Sequence, residues 1–200
     1  MNTRRGFTLI EVIIVIALFS IVAITVSLFA LDIARLGDFI NKKLQGQSGV
    51  DVALQRMFTE IRSMGPSSIG GYPIESASSS SFIFFTDFDK DGLFERIRYT
   101  LGTSTLEKGI TEPSGSPLTY TLANEVALTA IANVAAASST PLFEYFDENY
   151  AGAGSALPSP VDISKIRVIR ASLYVDVNPV TAPKPAFFTG TITVRNLRGN

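Results

Sequence analysis

The sequence predicts an α+β fold in which one long N-terminal helix packs against an antiparallel β-sheet. Three observations lead to this prediction: an apolar run over residues 7–31, an amphipathic continuation over residues 32–64, and short β-rich segments between Ser-, Gly- and Pro-rich turns over residues 65–200. A chain of 200 residues leaves room for one medium globular domain beyond such a helix.

The apolar run has the properties of a membrane span. It contains no Lys, Arg, Gly or Pro, and Glu11 is its only charged residue. A helix of this length extends about 38 Å, which is enough to cross a bilayer core of about 30 Å. Arg4 and Arg5 precede the run, and the positive-inside tendency places that end in the cytoplasm. The sequence therefore predicts a single-pass membrane protein whose C-terminal domain is extracytoplasmic.

The amphipathic segment 32–64 continues the helix beyond the membrane. Apolar residues recur there at three- and four-residue steps, with charged residues between them, so one face is expected to pack under the β-rich domain. The pair Gly65-Pro66 is expected to end the helix. The apolar face that is expected to pack under the domain consists of Ile33, Leu36, Ile40, Leu44, Leu54, Met57 or Phe58, Ile61 and Met64.

The β-rich part contains six segments that predict strands. In the fifth, alternate residues Ala171, Leu173, Val175 and Val177 share an apolar face that is expected to lie on the helix. Alanines and valines in 124–139 allow either a helix or a strand, and both readings stay open. The six segments are 82–86, 93–101, 117–122, 142–146, 165–177 and 187–197.

The composition excludes several classes of function. The chain has no cysteine, which removes disulfides and thiolate sites, and no histidine, which removes the commonest general base and transition-metal ligand. A net charge of −1 offers no polybasic surface for phosphates, so no nucleic acid contact is expected. Paired carboxylates remain as possible catalysts, yet no spacing indicates two that face each other across a cleft. The sequence predicts a protein that is not an enzyme.

The residues around the start of the apolar run form a specific motif. A short basic leader ends in Gly6, and Phe7-Thr8-Leu9-Ile10-Glu11 follows it directly. This order resembles the class III signal of type IV pilins and of type II secretion pseudopilins. The resemblance implies that a prepilin peptidase removes the leader, residues 1–6, by cutting between Gly6 and Phe7, and then methylates the amine of Phe7. It also implies a type IV pilin-like fold.

Glu11 needs a partner, because a carboxylate at membrane depth is unfavourable by about 2.5–3.5 kcal/mol. In the pilin family the glutamate at this position pairs with the N-terminal amine of a neighbouring subunit. The resemblance therefore implies an assembly charge at Glu11, with prepilin peptidase, other pilin or pseudopilin subunits, an inner-membrane assembly platform and membrane lipid as partners. A membrane-anchored binding or adhesin domain that does not polymerise is the alternative.

Two further features bear on the kind of subunit. No proline precedes Pro66 and no disulfide is possible, whereas many major pilins have both, so a minor pilin or pseudopilin is favoured. The order of the β-rich segments, with V-R-N-L at 194–197, is more loosely similar to W-type minor pilins and J-type pseudopilins.

One acidic stretch has a pattern typical of metal sites. Asp87, Asp89 and Asp91 alternate before Gly92, as at the start of an EF-hand loop, and Glu95 is a further possible calcium ligand. The twelfth position, however, holds Arg98 where such a loop requires a glutamate. A hairpin turn without metal is the alternative, because Asp and Gly also favour tight turns.

Overall fold

The computed structural model describes residues 8–135, 140–176, 185–194 and 197, without the side chains of 39 and 42–47. The predicted leader residues Arg4, Arg5 and Gly6, and Phe7 after them, lie outside the described residues. The chain divides into two compact units, Met1–Gln45 and Gly46–Asn200.

Helix α1 runs from Leu9 to Arg62 and confirms the predicted N-terminal helix. Within the first unit, the described side chains of α1 are exposed, including those of Ile33, Leu36 and Ile40. Of the predicted packing face, Ile33, Leu36 and Ile40 are therefore not buried, and the side chain of Leu44 lies outside the described residues. The first buried member of that face is Leu54. The division of the helix at residues 31 and 32 stays a prediction.

The second unit contains eleven described strands in three antiparallel sheets. A five-stranded sheet has the order β1-β2-β3-β4-β7. In a four-stranded sheet, β10 pairs with β11 on one side and with β8 and β9 on the other, while β5 and β6 form a small ribbon. The strands are β1 (Ile74–Ala77), β2 (Ser81–Thr86), β3 (Glu95–Leu101), β4 (Thr105–Thr111), β5 (Pro113–Ser114), β6 (Thr119–Tyr120), β7 (Val126–Ala132), β8 (Val134–Ala135), β9 (Phe143–Phe146), β10 (Val168–Val175) and β11 (Ala186–Thr193).

The C-terminal end of α1 packs on these sheets. Its buried side chains recur at helical spacing, so one stripe of the helix faces the core. From the sheets, Phe82, Phe84 and Ile97 belong to the same core cluster, as do Ala171, Leu173 and Val175 on the predicted face of β10. Val177 of that face lies outside the described residues. The stripe consists of Val50, Leu54, Met57 and Ile61 on the helix and Met64 just after its end.

Two glycines allow close approaches around the end of the helix. Gly65 follows the helix, and its N–H donates to Phe85 O at 3.0 Å; an added Cβ there would lie 2.4 Å from the Phe94 ring. On β11, a Cβ at Gly190 would lie 2.1 Å from Cε2 of Phe58. A larger side chain at either position would displace an aromatic ring in contact with it.

The segment 124–139, for which helix and strand stayed open, forms strands β7 and β8 up to residue 135, and 136–139 lie outside the described residues. Asn133 separates the two strands with a left-handed φ of +57°. Pairing with β4 and β10 supplies the hydrogen bonds that favour strand over the helix propensity of the alanines.

Candidate functional site: the start of the helix and the acidic turn

Thr8 precedes the first residue of α1 and caps the helix. Its Oγ1 accepts a hydrogen bond from the Glu11 backbone N–H at 3.4 Å. Its carbonyl oxygen accepts from the N–H groups of Glu11 at 3.1 Å and Val12 at 3.3 Å. Thr-x-x-Glu before an apolar run is the sequence signature of a capping box, a signal that the sequence analysis missed. Thr8 therefore fixes where the helix begins, three residues before the carboxylate.

Glu11 lies in the first turn of the helix, and its side chain is exposed. Across the described part of the chain, it forms no ion pair. The helix N-terminus carries a partial positive charge, which favours a carboxylate in the first turn. The expected partner, an amine on Phe7 of another subunit, is not tested by the structure of a single chain, so the assembly role of Glu11 stays a prediction.

Polar side chains within the apolar helix are satisfied by the helix itself. Ser20 Oγ donates to Ile16 O at 2.7 Å, and Ser27 Oγ donates to Ala23 O at 2.8 Å. Thr25 Oγ1 makes the same kind of bond to a carbonyl three residues earlier. In a bilayer no water is available to these hydroxyls, so internal partners are required. These three hydroxyls are thus compatible with a hydrocarbon environment.

The stretch Leu9–Asp38 is long and apolar enough to cross a membrane. Asp32 is the first charged residue after Glu11, and its carboxylate lies 3.8 Å from the Arg35 guanidinium. The next charged residues after Glu11 therefore lie about one membrane thickness from the start of the helix.

Residues 1–27 match the family described as the prokaryotic N-terminal methylation motif. The chain carries the class III signal of type IV pilins and pseudopilins. This prepilin-type signal implies processing by a prepilin peptidase and assembly with other pilin subunits. Together with the apolar helix, it indicates a membrane-anchored protein. No curated protein matches the chain.

The acidic stretch forms the turn between β2 and β3. Lys90 has a φ of +66° and Gly92 a φ of +92°, so the chain reverses through two left-handed residues. Asp87 Oδ2 accepts from the Gly92 N–H at 3.2 Å, and Asp91 Oδ1 accepts from the Leu93 N–H at 2.7 Å. These bonds show that the aspartates also support the turn, as the hairpin alternative requires.

Three of the four predicted calcium ligands converge. Oxygen atoms of Asp87, Asp89 and Glu95 all lie within 4.8 Å of one another, whereas Asp91 is not part of the group. Asp87 Oδ1 is buried and has no hydrogen-bond partner among the described residues. A hard cation would bind carboxylate oxygens at about 2.3–2.6 Å, and three convergent carboxylates are a common part of such a site. The donor set therefore fits calcium.

Glu95 lies at the start of β3, and only 2% of it is exposed. Burial, with a smaller contribution from the negative charges of Asp89 and Asp91, raises the pKa of its carboxyl from 4.5 to about 7, and the hydrogen bond from the Phe88 N–H opposes this rise. Its Oε2 accepts that bond at 3.1 Å. Near neutral pH the carboxyl is thus divided between its protonated and ionised forms, and a bound cation would favour ionisation.

Arg98, at the position that counted against calcium, faces away from Glu95. Successive side chains of a strand alternate between its two faces, so Arg98 and Glu95, three residues apart on β3, lie on opposite faces. The Arg98 guanidinium pairs with Glu125, with Nε 3.1 Å from Oε1. Its positive charge is thereby balanced on the opposite face of the strand.

Proposed function

We propose that this chain is a minor pilin or pseudopilin that is processed after Gly6 and assembles into a type IV pilus or a type II secretion-like pseudopilus. The observation that supports this proposal most strongly is the match of residues 1–27 to the N-terminal methylation motif. Phe7 is the residue to be methylated, and Glu11 is the charge that meets its amine on a neighbouring subunit. The role is structural rather than catalytic.

The proposal also gives the chain an orientation. Arg4 and Arg5 stay in the cytoplasm with the leader, the apolar helix lies in membrane lipid, and the β-rich domain is extracytoplasmic. An inner-membrane assembly platform then draws the processed subunit into the filament, where the domain is periplasmic or extracellular. The choice of a minor subunit rests on the absence of cysteine and of a proline before Pro66.

The test is the N-terminus of the full-length chain made in cells with an active prepilin peptidase. Mass spectrometry should find a chain that lacks six residues and begins with N-methylated Phe7. Gly6→Val should block the cut, because the larger side chain lies at the scissile bond. Gly37→Val is the matched control, since a Cβ at Gly37 meets no atom within 4 Å, and it should be cut normally.

A chain that keeps its leader beside an active peptidase would contradict the proposal. So would a wild-type chain that is cut but never enters sheared filaments or a pseudopilus complex. That second result would favour a membrane-anchored binding or adhesin domain that does not polymerise.

We also propose a calcium site at the turn, with Asp87, Asp89 and Glu95 as direct ligands and Asp91 as a supporting acceptor in the turn. The buried Oδ1 of Asp87, which has no hydrogen-bond partner within the described part of the chain, supports this site more specifically than the sequence pattern does. The site would hold the start of β3 against the end of β2. Its role would be to stabilise the extracytoplasmic domain.

A further inference from the structure

The apolar face of the five-stranded sheet extends beyond the part that is covered. One row of directly paired residues crosses β2, β3, β4 and β7: Phe84, Ile97, Ile110 and Val126. Phe84 and Ile97 are completely buried, and Ile110 is half-buried, but Val126 is 57% exposed. The row is therefore buried on β2 and β3 but exposed at its last strand, β7, although all four residues are apolar.

The neighbouring row shows the same change. Tyr99, Lys108 and Leu128 are directly paired across β3, β4 and β7. Tyr99 and Lys108 both bond to Glu60 of α1, so this row lies on the face that the helix covers. Leu128, at the end of the row, is 50% exposed. Val126 and Leu128 thus lie open on the helix-facing side of β7, whereas Ile131, which pairs with the buried Leu106, is 5% exposed and belongs to the core.

A groove runs between β7 and the helix. It has a volume of about 280 Å³, and its walls include Val52 and Ala53 from α1 and Leu128 and Ala130 from β7. Val52 is 65% exposed. Strands in a sheet are spaced by about 4.8 Å, so one more strand beside β7 would place its side chains over this groove.

The outer edge of β7 lacks most of the usual protection of an edge strand, since its one irregularity is a bulge at Ala130, between the paired residues Thr129 and Ile131. Its sequence, VALTAIA, contains no charge and no proline, and β7 pairs with no described strand on that side. The opposite edge of the same sheet is protected, because β1 has four residues and its Glu75 bonds to Arg96 at 2.6 Å. Exposed, apolar edges pair readily with another extended chain.

We infer that β7 accepts an extended, uncharged segment of a neighbouring filament subunit as an added antiparallel strand. An extended backbone is the partner that can satisfy both the open apolar row and the outward N–H and C=O groups of the edge, which pair with no described strand. A docked helix would satisfy only the row. This inference rests on the proposed function, because it takes the partner from the same filament.

The first test uses hydrogen exchange of the wild-type chain in detergent and in sheared filaments. Alternate backbone amides of residues 126–129, those that point outward in the regular part of the strand, should exchange at least tenfold more slowly in the filament. Unchanged exchange would overturn the inference. Burial of the Leu128 side chain without protection of these amides would overturn it too, because a docked helix would give that result. Failure of the chain to enter filaments would overturn the proposed function as well.

The second test uses substitutions in the full-length chain. Leu128→Lys should be cut after Gly6 and fold normally but enter filaments at least tenfold less, because the added charge would be buried under the partner strand. Leu122→Lys is the matched control, since Leu122 is 60% exposed and lies before β7, and it should assemble normally. Equal incorporation of the two variants would overturn the inference.

A third measurement does not depend on a charge at the edge. The chain has no cysteine, so Ala127→Cys places a single thiol on β7, on the face opposite Val126 and Leu128. This thiol should react with maleimide in detergent and at least tenfold more slowly in filaments, whereas Ala151→Cys, on an exposed loop, should react equally in both. Equal reactivity of Cys at 127 in both states would count against an added strand.

Discussion

Lys108 of β4 donates a hydrogen bond from Nζ to Oε1 of Glu60 on α1 at 2.6 Å, and both side chains are buried. The other carboxylate oxygen, Oε2, accepts from the Tyr99 hydroxyl at 2.7 Å. A buried ion pair loses hydration energy, so it fixes a register more than it adds stability. Here it sets which turn of the helix lies over β3 and β4.

Lys108→Met should lower the free energy of unfolding of the domain by about 3–5 kcal/mol, because it leaves a buried carboxylate without its cation. Denaturant unfolding of the full-length chain in detergent measures this change. Arg56→Met is the matched control. Arg56 Nε also lies 3.3 Å from Glu60 Oε1, but the Arg56 side chain is 69% exposed. The free energy of unfolding should therefore fall by about 1 kcal/mol at most. The double change Glu60→Leu with Lys108→Met should recover most of the loss, and equal effects of the two single changes would contradict this account.

Glu11→Leu should leave membrane insertion, cleavage after Gly6 and folding of the domain intact, because it removes the only charge of the apolar run. Incorporation into filaments should fail, since the amine of a neighbouring Phe7 would lose its partner. Glu11→Asp should assemble partly, because its charge is kept on a side chain one methylene shorter. Crosslinking between subunits measures the effect, and normal incorporation of Glu11→Leu would show that the carboxylate has no assembly role.

The raised pKa of Glu95 predicts a dependence of stability on pH in the presence of EDTA. A carboxyl whose pKa rises on folding stabilises the native state fully below its unfolded pKa, 4.5, and loses that contribution as the pH rises through about 7. The free energy of unfolding should therefore lose about 3 kcal/mol from this group between pH 4.5 and 7.

Glu95→Gln is the variant that isolates this contribution, because glutamine keeps an acceptor for the Phe88 N–H and cannot ionise. The difference in unfolding free energy between wild type and Glu95→Gln should change across that pH interval and stay constant above it. A difference that is the same at pH 4.5 and pH 8 would contradict the raised pKa.

Calcium should raise the melting temperature of the domain if the turn binds it, because a ligand bound only by the native state adds RT ln(1 + [L]/Kd) to stability. Asp87→Asn should abolish the rise, since it removes a direct ligand. Asp91→Asn should keep most of the rise, because Asp91 lies outside the converging group. A calcium effect equally sensitive to both changes would place the cation elsewhere, and no effect on wild type would leave the turn as a hairpin only.

The helix could be predicted from the sequence because the signals for a helix are local. A 25-residue apolar run with one charge, and a Gly-Pro pair after Met64, place the ends of α1 close to Leu9 and Arg62 without knowledge of any distant residue, although the cap at Thr8 was missed. The buried residues Leu54, Met57, Ile61 and Met64 followed from their spacing as well, whereas Val50 was not among the predicted residues. The spacing did not show where along the helix burial begins, because burial of Ile33 or Leu36 depends on the residues around the helix rather than on the helix itself.

Strands that depend on distant partners were harder to predict. The stretch at β4, TLEKGIT, has charged residues in its middle, and it is a strand because Lys108 finds Glu60 far away in the chain. The segment 117–122 looked like a strand from its composition, yet only Thr119–Tyr120 pairs, with β5. The convergence of Asp87, Asp89 and Glu95 followed from their spacing, whereas the exclusion of Asp91 depended on how the turn folds.

Asn133 joins the two large sheets within a single continuous piece of chain. Its carbonyl accepts from the Asp176 N–H at 2.8 Å, and β7 on one side and β8 on the other belong to different sheets. Neither sheet can open at this end without pulling on the other, so the two should unfold as one cooperative unit. A subunit under tensile load would then give way in a single step, with no half-open intermediate in which one sheet has come apart and the other remains.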